Sequence, residues 1–226
     1  MINGLRYGLK KFWSEALSGD LLILSISIIL AVTSISSVSF LGDRLQTSMK
    51  LQASSILGAD LVLRSASKID SKYLDLGIAS NLKTAETITF LSMIISDEDN
   101  LLTSIKTASD AYPLRGELII VDFDGSPIKH SGNPPSGYLW IEKKVAETLQ
   151  LKKLDEVSIG NKVFKIDGII KDYPDRNSSF VGFYPIAIAN IVDLEDMGVV
   201  QTGSRVVYRY LFSGSKKNLS LFVEQL

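Results

Sequence analysis

The chain has 226 residues, 46% hydrophobic and 22% charged, with a formal net charge of −1. That near balance argues against a nucleic-acid partner. The absence of cysteine excludes disulfides and thiolate metal sites, and a lone histidine, His130, excludes a multi-histidine metal cluster.

Residues 1–19 read as a short amphipathic helix lying at a cytoplasmic membrane interface. Leu5, Leu9, Phe12, Trp13, Ala16 and Leu17 recur at helical spacing, with Arg6, Lys10 and Lys11 between them. Residues 20–42 follow as a transmembrane helix. From Leu21 to Gly42 no residue is charged, and 22 residues at about 1.5 Å each give about 33 Å, enough to cross a bilayer core of about 30 Å. Six serines interrupt the run (Ser25, Ser27, Ser34, Ser36, Ser37 and Ser39). Their hydroxyls can bond back to a carbonyl one turn earlier, so they do not forbid insertion. A buried soluble helix would need comparable helices around it, and none follows. A cleaved signal peptide normally carries an apolar region of only about 7–15 residues. A retained anchor fits better. The basic flank places the N-terminus in the cytoplasm and residues 43 onward outside the inner membrane of a bacterium, in the periplasm or beyond the cell.

Residues 43–58 keep the helical period. Leu41, Leu45, Gln46, Met49, Gln52, Ala53 and Ile56 share one broad side, and Gly58 is a stop signal. This predicts a stalk of about four turns continuous with the membrane helix. The next region, 59–215, reads as the extracytoplasmic core domain. Residues 59–65 predict a strand, 70–81 a helix, and 84–96 with 101–109 an antiparallel pair around the SDEDN turn. In the first strand of that pair Thr87, Thr89 and Leu91 fall on one side, and Ile88, Phe90 and Ser92 on the other. Tyr112-Pro113 ends the pair. Asp124-Gly125 marks a turn, and Asn133-Pro134-Pro135 interrupts any ladder. The stretch YLWIEKKVAETLQL predicts a strand feeding a helix. Val157 and Ile159 before Gly160-Asn161, then Phe164, Ile166 and Ile170 at even spacing, predict a hairpin. Residues 180–191 predict a strand or edge segment, LEDMG a turn, and 204–214 a long closing strand. From Lys216 to Leu226 a truncated helix leads back toward the membrane. The soluble part is thus expected to be α+β, a mixed α/β domain of about eight strands and three or four helices, in two subdomains with boundaries near Tyr112–Gly116 and Tyr173–Ser179.

No catalytic, cofactor-binding or metal site is expected. None of the serines sits in a G-x-S-x-G elbow, and His130, in a Gly/Pro-rich loop, reads as a plain surface histidine. Asp122 and Asp124 before Gly125 lack the distal ligands of a calcium loop and read as a hairpin turn. Asp193, Glu195 and Asp196 before Gly198 read as capping or a solvated turn. Lys216-Lys217 suits anionic headgroups, and Phe180, Phe183 and Tyr184 suit either a contact patch or a core.

The chain resembles the N-terminal part of the large bacterial ABC-transporter permeases of the FtsX-like family, whose outer core domain is like that of the macrolide exporter MacB. The resemblance is carried by the basic amphipathic start and span, DRLQTSMKLQASSILGADLVLRS (43–65), YPLRGEL (112–118), residues 137–176 and GSRVVYRYLFSG (203–214). It implies a permease or mechanotransmission component, not an enzyme, driven by a separate cytoplasmic ABC ATPase and linked to export or release of a lipophilic compound or lipoprotein. Membrane lipid is an implied partner, and some relatives work beside a secreted esterase or thioesterase. Two departures stand out. Leu154-Asp155 replaces the usual Gly-Asp, at a turn where glycine would tolerate a positive φ. The family also has at least four spans and this chain supplies one, so a fragment, an expressed piece or a degenerate copy is expected. A single-span anchored binding or scaffold domain is the alternative reading. An anchored hydrolase, a third, needs a nucleophile–base pair not found here.

Overall fold

The computed structural model describes residues 19–97, 99–130, 132–176, 183–201 and 203–226. The expected interfacial helix at 1–19 lies outside them apart from Gly19. Helix α1 runs unbroken from Gly19 to Leu57. Within it Leu22–Gln46 is long and apolar enough to cross a membrane, and none of that stretch is buried. Ser27 Oγ donates to the Ile23 carbonyl at 2.8 Å, the back-bond that lets a hydroxyl sit on such a surface. Gly58, at φ +72°, ends the helix in the left-handed conformation that glycine adopts without strain.

The chain divides into two compact units, Met1–Leu51 and Gln52–Leu226, so the last turn of α1 belongs to the second. That second unit is built on one nine-stranded sheet. Its strands are β1 (Leu61–Ser65), β2 (Lys83–Ile95), β3 (Asn100–Ala108), β4 (Ile119–Val121), β5 (Tyr138–Glu142), β6 (Glu156–Ile159), β7 (Lys162–Asp172), β8 (Ile186–Asn190) and β9 (Val206–Ser213). The order is β1-β9-β2-β3-β8-β5-β7-β4, and β6 joins β7 back to β2 through Ile94 and Ile95. Hydrogen bonding therefore returns to its start through β2, β3, β8, β5, β7 and β6, a closed six-stranded barrel from which β9, β1 and β4 extend. The helices are α2 (Lys72–Ala79), α3 (Lys143–Thr148), the single-turn α4 (Leu194–Met197) and α5 (Lys216–Glu224).

Period-two alternation explains the barrel core. Ile88, Phe90, Ile94, Ile105, Leu139, Ile141, Val157, Ile159, Phe164, Ile166, Ala187 and Ala189 alternate along their strands and form one buried cluster, closed by Val145 of α3 and by Leu149 just after it. Ile170, expected on the same side as Phe164 and Ile166, instead joins Trp140, Ile186 and Ile188 on the outer face, and Ile169 takes the inner place. The pairing of β5 with β7 slips by one residue between Leu139 and Trp140, a bulge that reverses the alternation beyond it.

The sheet continues past both expected internal boundaries. Residues 112–116 and 173–176 are loops within the second unit. The strand expected from 180 begins only at Ile186. Phe180 lies outside the described residues, Phe183 is 88% exposed and Tyr184 is at the margin of exposure. LEDMG forms a helical turn closed by Gly198. At the C-terminus Ser215 caps α5 by accepting from Asn218 N, and Phe222 packs on Phe212 with ring centroids 4.6 Å apart. Leu154 sits at φ +68° and donates its N–H to the Ile166 carbonyl at 2.7 Å, so the turn is strained by its side chain and is not relaxed.

Candidate coupling site at the end of the long helix

A helix ends with carbonyls that have no partner in the next turn, and something must satisfy them. Here Asp175 N donates to the Ile56 carbonyl at 2.5 Å, while Leu114 N and Arg115 N donate to the Gly58 carbonyl at 3.0 and 2.9 Å. A β-carbon on Gly116 would lie 2.8 Å from the Ser55 carbonyl oxygen, so only glycine lets that loop approach the last turn so closely. Arg115 grips Asp60 through two nitrogens, Nε at 3.0 Å and Nη2 at 2.8 Å, and Asp60 also accepts from Ser213 Oγ and Gly214 N. Burial alone would raise the Asp60 carboxyl, but the Arg115 contact and these hydrogen bonds outweigh it and hold the group below the usual carboxylate range. A cleft of about 640 Å³ opens beside this junction, lined by Ser55, Ile56, Glu117, Tyr173 and Arg176 among others.

Beneath the same loop lies a buried charge cluster. The Asp175 carboxylate accepts from Lys106 Nζ at 2.5 Å, Tyr112 Oη at 2.9 Å and Arg209 Nη1 at 2.6 Å. The side chains of Lys106, Asp175 and Arg209 are only 3%, 2% and 6% exposed. Burial pushes the Lys106 ammonium below its ordinary pKa, and the Asp175 charge offsets part of that. Burial, reinforced by the same carboxylate, pushes the Tyr112 phenol well up. The ammonium also lies 5.3 Å from the Tyr112 ring centroid and 5.0 Å from that of Tyr173, contacts that favour a cation. Asp175 itself has φ +61°, strained for a non-glycine residue. The arrangement joins one loop to two strands through a fully desolvated carboxylate.

None of these three charged residues is singled out by the sequence reading. The signal was present in part. Lys106 is the one charged residue between Asn100 and Ser109, and Arg209 the one between Val206 and Ser213. A charge inside a strand apolar on both sides marks either an exposed face or a buried pair, and the partner, Asp175, is far off in sequence.

The residues weighed in the sequence separate clearly. His130 is half-buried, not a plain surface side chain. Its Nε2 lies 2.7 Å from the Leu118 carbonyl and Nδ1 3.1 Å from that of Gly132, and its ring meets Trp140 edge-on at 4.8 Å. Asp122 and Asp124 form the turn: Gly125 N donates to the Asp122 carbonyl, Ser126 N to Asp124 Oδ1, and Lys153 pairs with Asp122. Asp193 is buried, contrary to a solvated turn, because it accepts from Ser136 Oγ and Gly137 N and pairs with Lys162 at 2.8 Å. Asp196 shares that lysine.

No protein-family model matches the sequence. The chain is 27% identical over 213 residues to the uncharacterised ABC transporter permease YbbP of Escherichia coli, a match that covers 92% of this chain and 25% of that protein's length. Among solved structures it is similar to the extracellular domain of the noncanonic ABC-type transporter YknZ from Gram-positive bacteria, with a TM-score of 0.49 and 12% identity over 70% of this chain and 79% of that one. It is also similar to the periplasmic region of MacB from Actinobacillus actinomycetemcomitans, with a TM-score of 0.48 and 7% identity over 78% of this chain and 87% of that one. The sequence match runs along nearly the whole of this chain and spans about a quarter of the length of that permease.

Proposed function

We propose that the chain is a first membrane span and outer domain of an ABC-transporter permease, a non-catalytic component that carries motion from a cytoplasmic ATPase to the far side of the membrane. The carrying observation is helix α1. One unbroken run of helical hydrogen bonds holds an apolar stretch with no buried residue, Leu22–Gln46, and a last turn keyed into the outer unit by Asp175, Leu114, Arg115 and Gly116. A helix transmits displacement along its axis because its hydrogen bonds are nearly parallel to it. The finer parts of this reading are an inner-membrane location with residues 43 onward outside, a lipophilic or lipoprotein cargo, and an esterase or thioesterase neighbour. The first is supported by the basic flank before the span, and the others by the resemblance.

A Gly-Pro insertion after Leu45 tests it in the protein that carries this segment. The insertion breaks the helical ladder without touching the outer unit. Expected is a membrane-inserted protein with normal protease resistance of the outer unit, and ATP-dependent activity of the permease–ATPase assembly reduced at least tenfold. Activity unchanged by the insertion, or failure of the protein to assemble with any ABC ATPase, overturns the proposal.

A further inference from the structure

We propose that Asp175 is a two-position mechanical relay, gripping the last turn of α1 with its amide and two strands of the sheet, β3 and β9, with its carboxylate. This inference rests on the coupling reading above and names the residue through which coupling passes. Its amide holds the Ile56 carbonyl, and the carboxylate of the same residue holds Lys106 of β3 and Arg209 of β9. Those strands flank β2 on either side. In register, Thr89 stands directly opposite Lys106, and Thr87 directly opposite Arg209, so the four side chains share one face of the sheet. Asp175 therefore ties β3 to β9 across β2.

The chemistry of that face makes the clamp all-or-none. Two buried cations share the Asp175 carboxylate, and the Thr87 and Thr89 hydroxyls beside them are buried without a hydrogen-bond partner. A face meant only to stay shut is more stable when filled with apolar residues of similar volume. With Asp175 seated, its carboxylate lies within ion-pair distance of both cations and offsets their mutual repulsion; with it withdrawn, that attraction is lost. Intermediate positions keep the cost of burial and lose the attraction, so the loop has a seated and a released position. The left-handed backbone at Asp175 is strain held by the contacts on both sides of it. Displacement of the last turn of α1 draws on the amide and releases the clamp.

Hydrogen–deuterium exchange on the full chain in lipid nanodiscs tests the relay. Ile56→Gly weakens the last turn from the helix side, at an exposed side chain. Gly116→Ala displaces the same turn from the loop side, its β-carbon also coming within 3.3 Å of Pro174. Expected is a rise of at least fivefold in exchange at 104–108 and 207–211 for either variant. In an Asp175→Asn background those segments exchange fast already, and Ile56→Gly changes them less than twofold. Should Asp175→Asn fail to fold, Lys106→Met/Asp175→Leu/Arg209→Met fills the same space without charge, and there Ile56→Gly should alter only 53–60. The relay is overturned if Ile56→Gly alters only 53–60 in the parent chain, or if it speeds β3 and β9 equally when residue 175 is Asn or Leu. Either result leaves the coupling proposal standing on its own test, because the Gly-Pro insertion reads the helix and not this residue.

Discussion

Strands β2 and β3 carry two buried faces of opposite character. Inward, Ile88, Phe90, Ile94 and Ile105 fill the barrel with apolar volume. Outward, Thr87, Thr89, Lys106 and Asp175 build a charged face that is just as dry. The inner face stabilises by area removed from water and tolerates small shifts, since dispersion and the hydrophobic effect have no direction. The outer face stabilises only at one geometry, because a buried ion pair out of register leaves desolvated charge behind. One face holds the unit together, and the other is sensitive to position.

Substitutions can break that comparison. Asp175→Ala should cost about 3–5 kcal/mol, since it removes the carboxylate that both buried cations contact, and urea unfolding of the outer unit would show it. Replacing Lys106, Asp175 and Arg209 together by Met, Leu and Met should return stability to within about 1 kcal/mol of the parent or above it. If the triple variant is as unstable as the single one, the outer face is ordinary packing and the distinction fails. Phe164→Ala on the inner face should also cost about 3–5 kcal/mol, through lost burial and a cavity. No charge-removing companion should restore it, and a rescue would again erase the difference.

Smaller effects sharpen the same contrast. Leu154→Gly relieves a left-handed residue that is 55% exposed and belongs to neither face. A gain of about 0.5–1 kcal/mol is expected from the relieved strand-side turn, after the greater entropy glycine loses on folding. Glu86, half-buried on β2, gives the smallest change. Burial raises its carboxyl above the ordinary value of 4.5, with Lys68 opposing. Between that value and the raised one the native state holds more protons than the unfolded chain, so stability falls as pH rises through the window. Glu86→Gln should melt above the parent at pH 7 and with it at pH values below the window. A constant offset at every pH would place the effect in packing and not in charge.

Much of this architecture is legible residue by residue. The Gly160-Asn161 hairpin, the β2–β3 pair and the stop at Gly58 follow from local chemistry, each signalled by a turn residue beside an alternating or helical run. The β7 bulge is not legible, because Phe164, Ile166 and Ile170 keep even spacing across it and only the partner strand shows the slip. Asp193 looks like any acidic turn residue until Ser136 and Lys162 arrive from elsewhere in the chain. The Lys106–Asp175–Arg209 cluster is hidden for the same reason: its members lie on three separate stretches, and only the fold brings them within 2.6 Å.

Closure of the ring through Ile94 and Ile95 has a mechanical corollary. In an open sheet two neighbours can slide while the rest stand still. Once the ladder bites its own tail, any slip must be shared around the whole circuit, and six sets of hydrogen bonds resist it together.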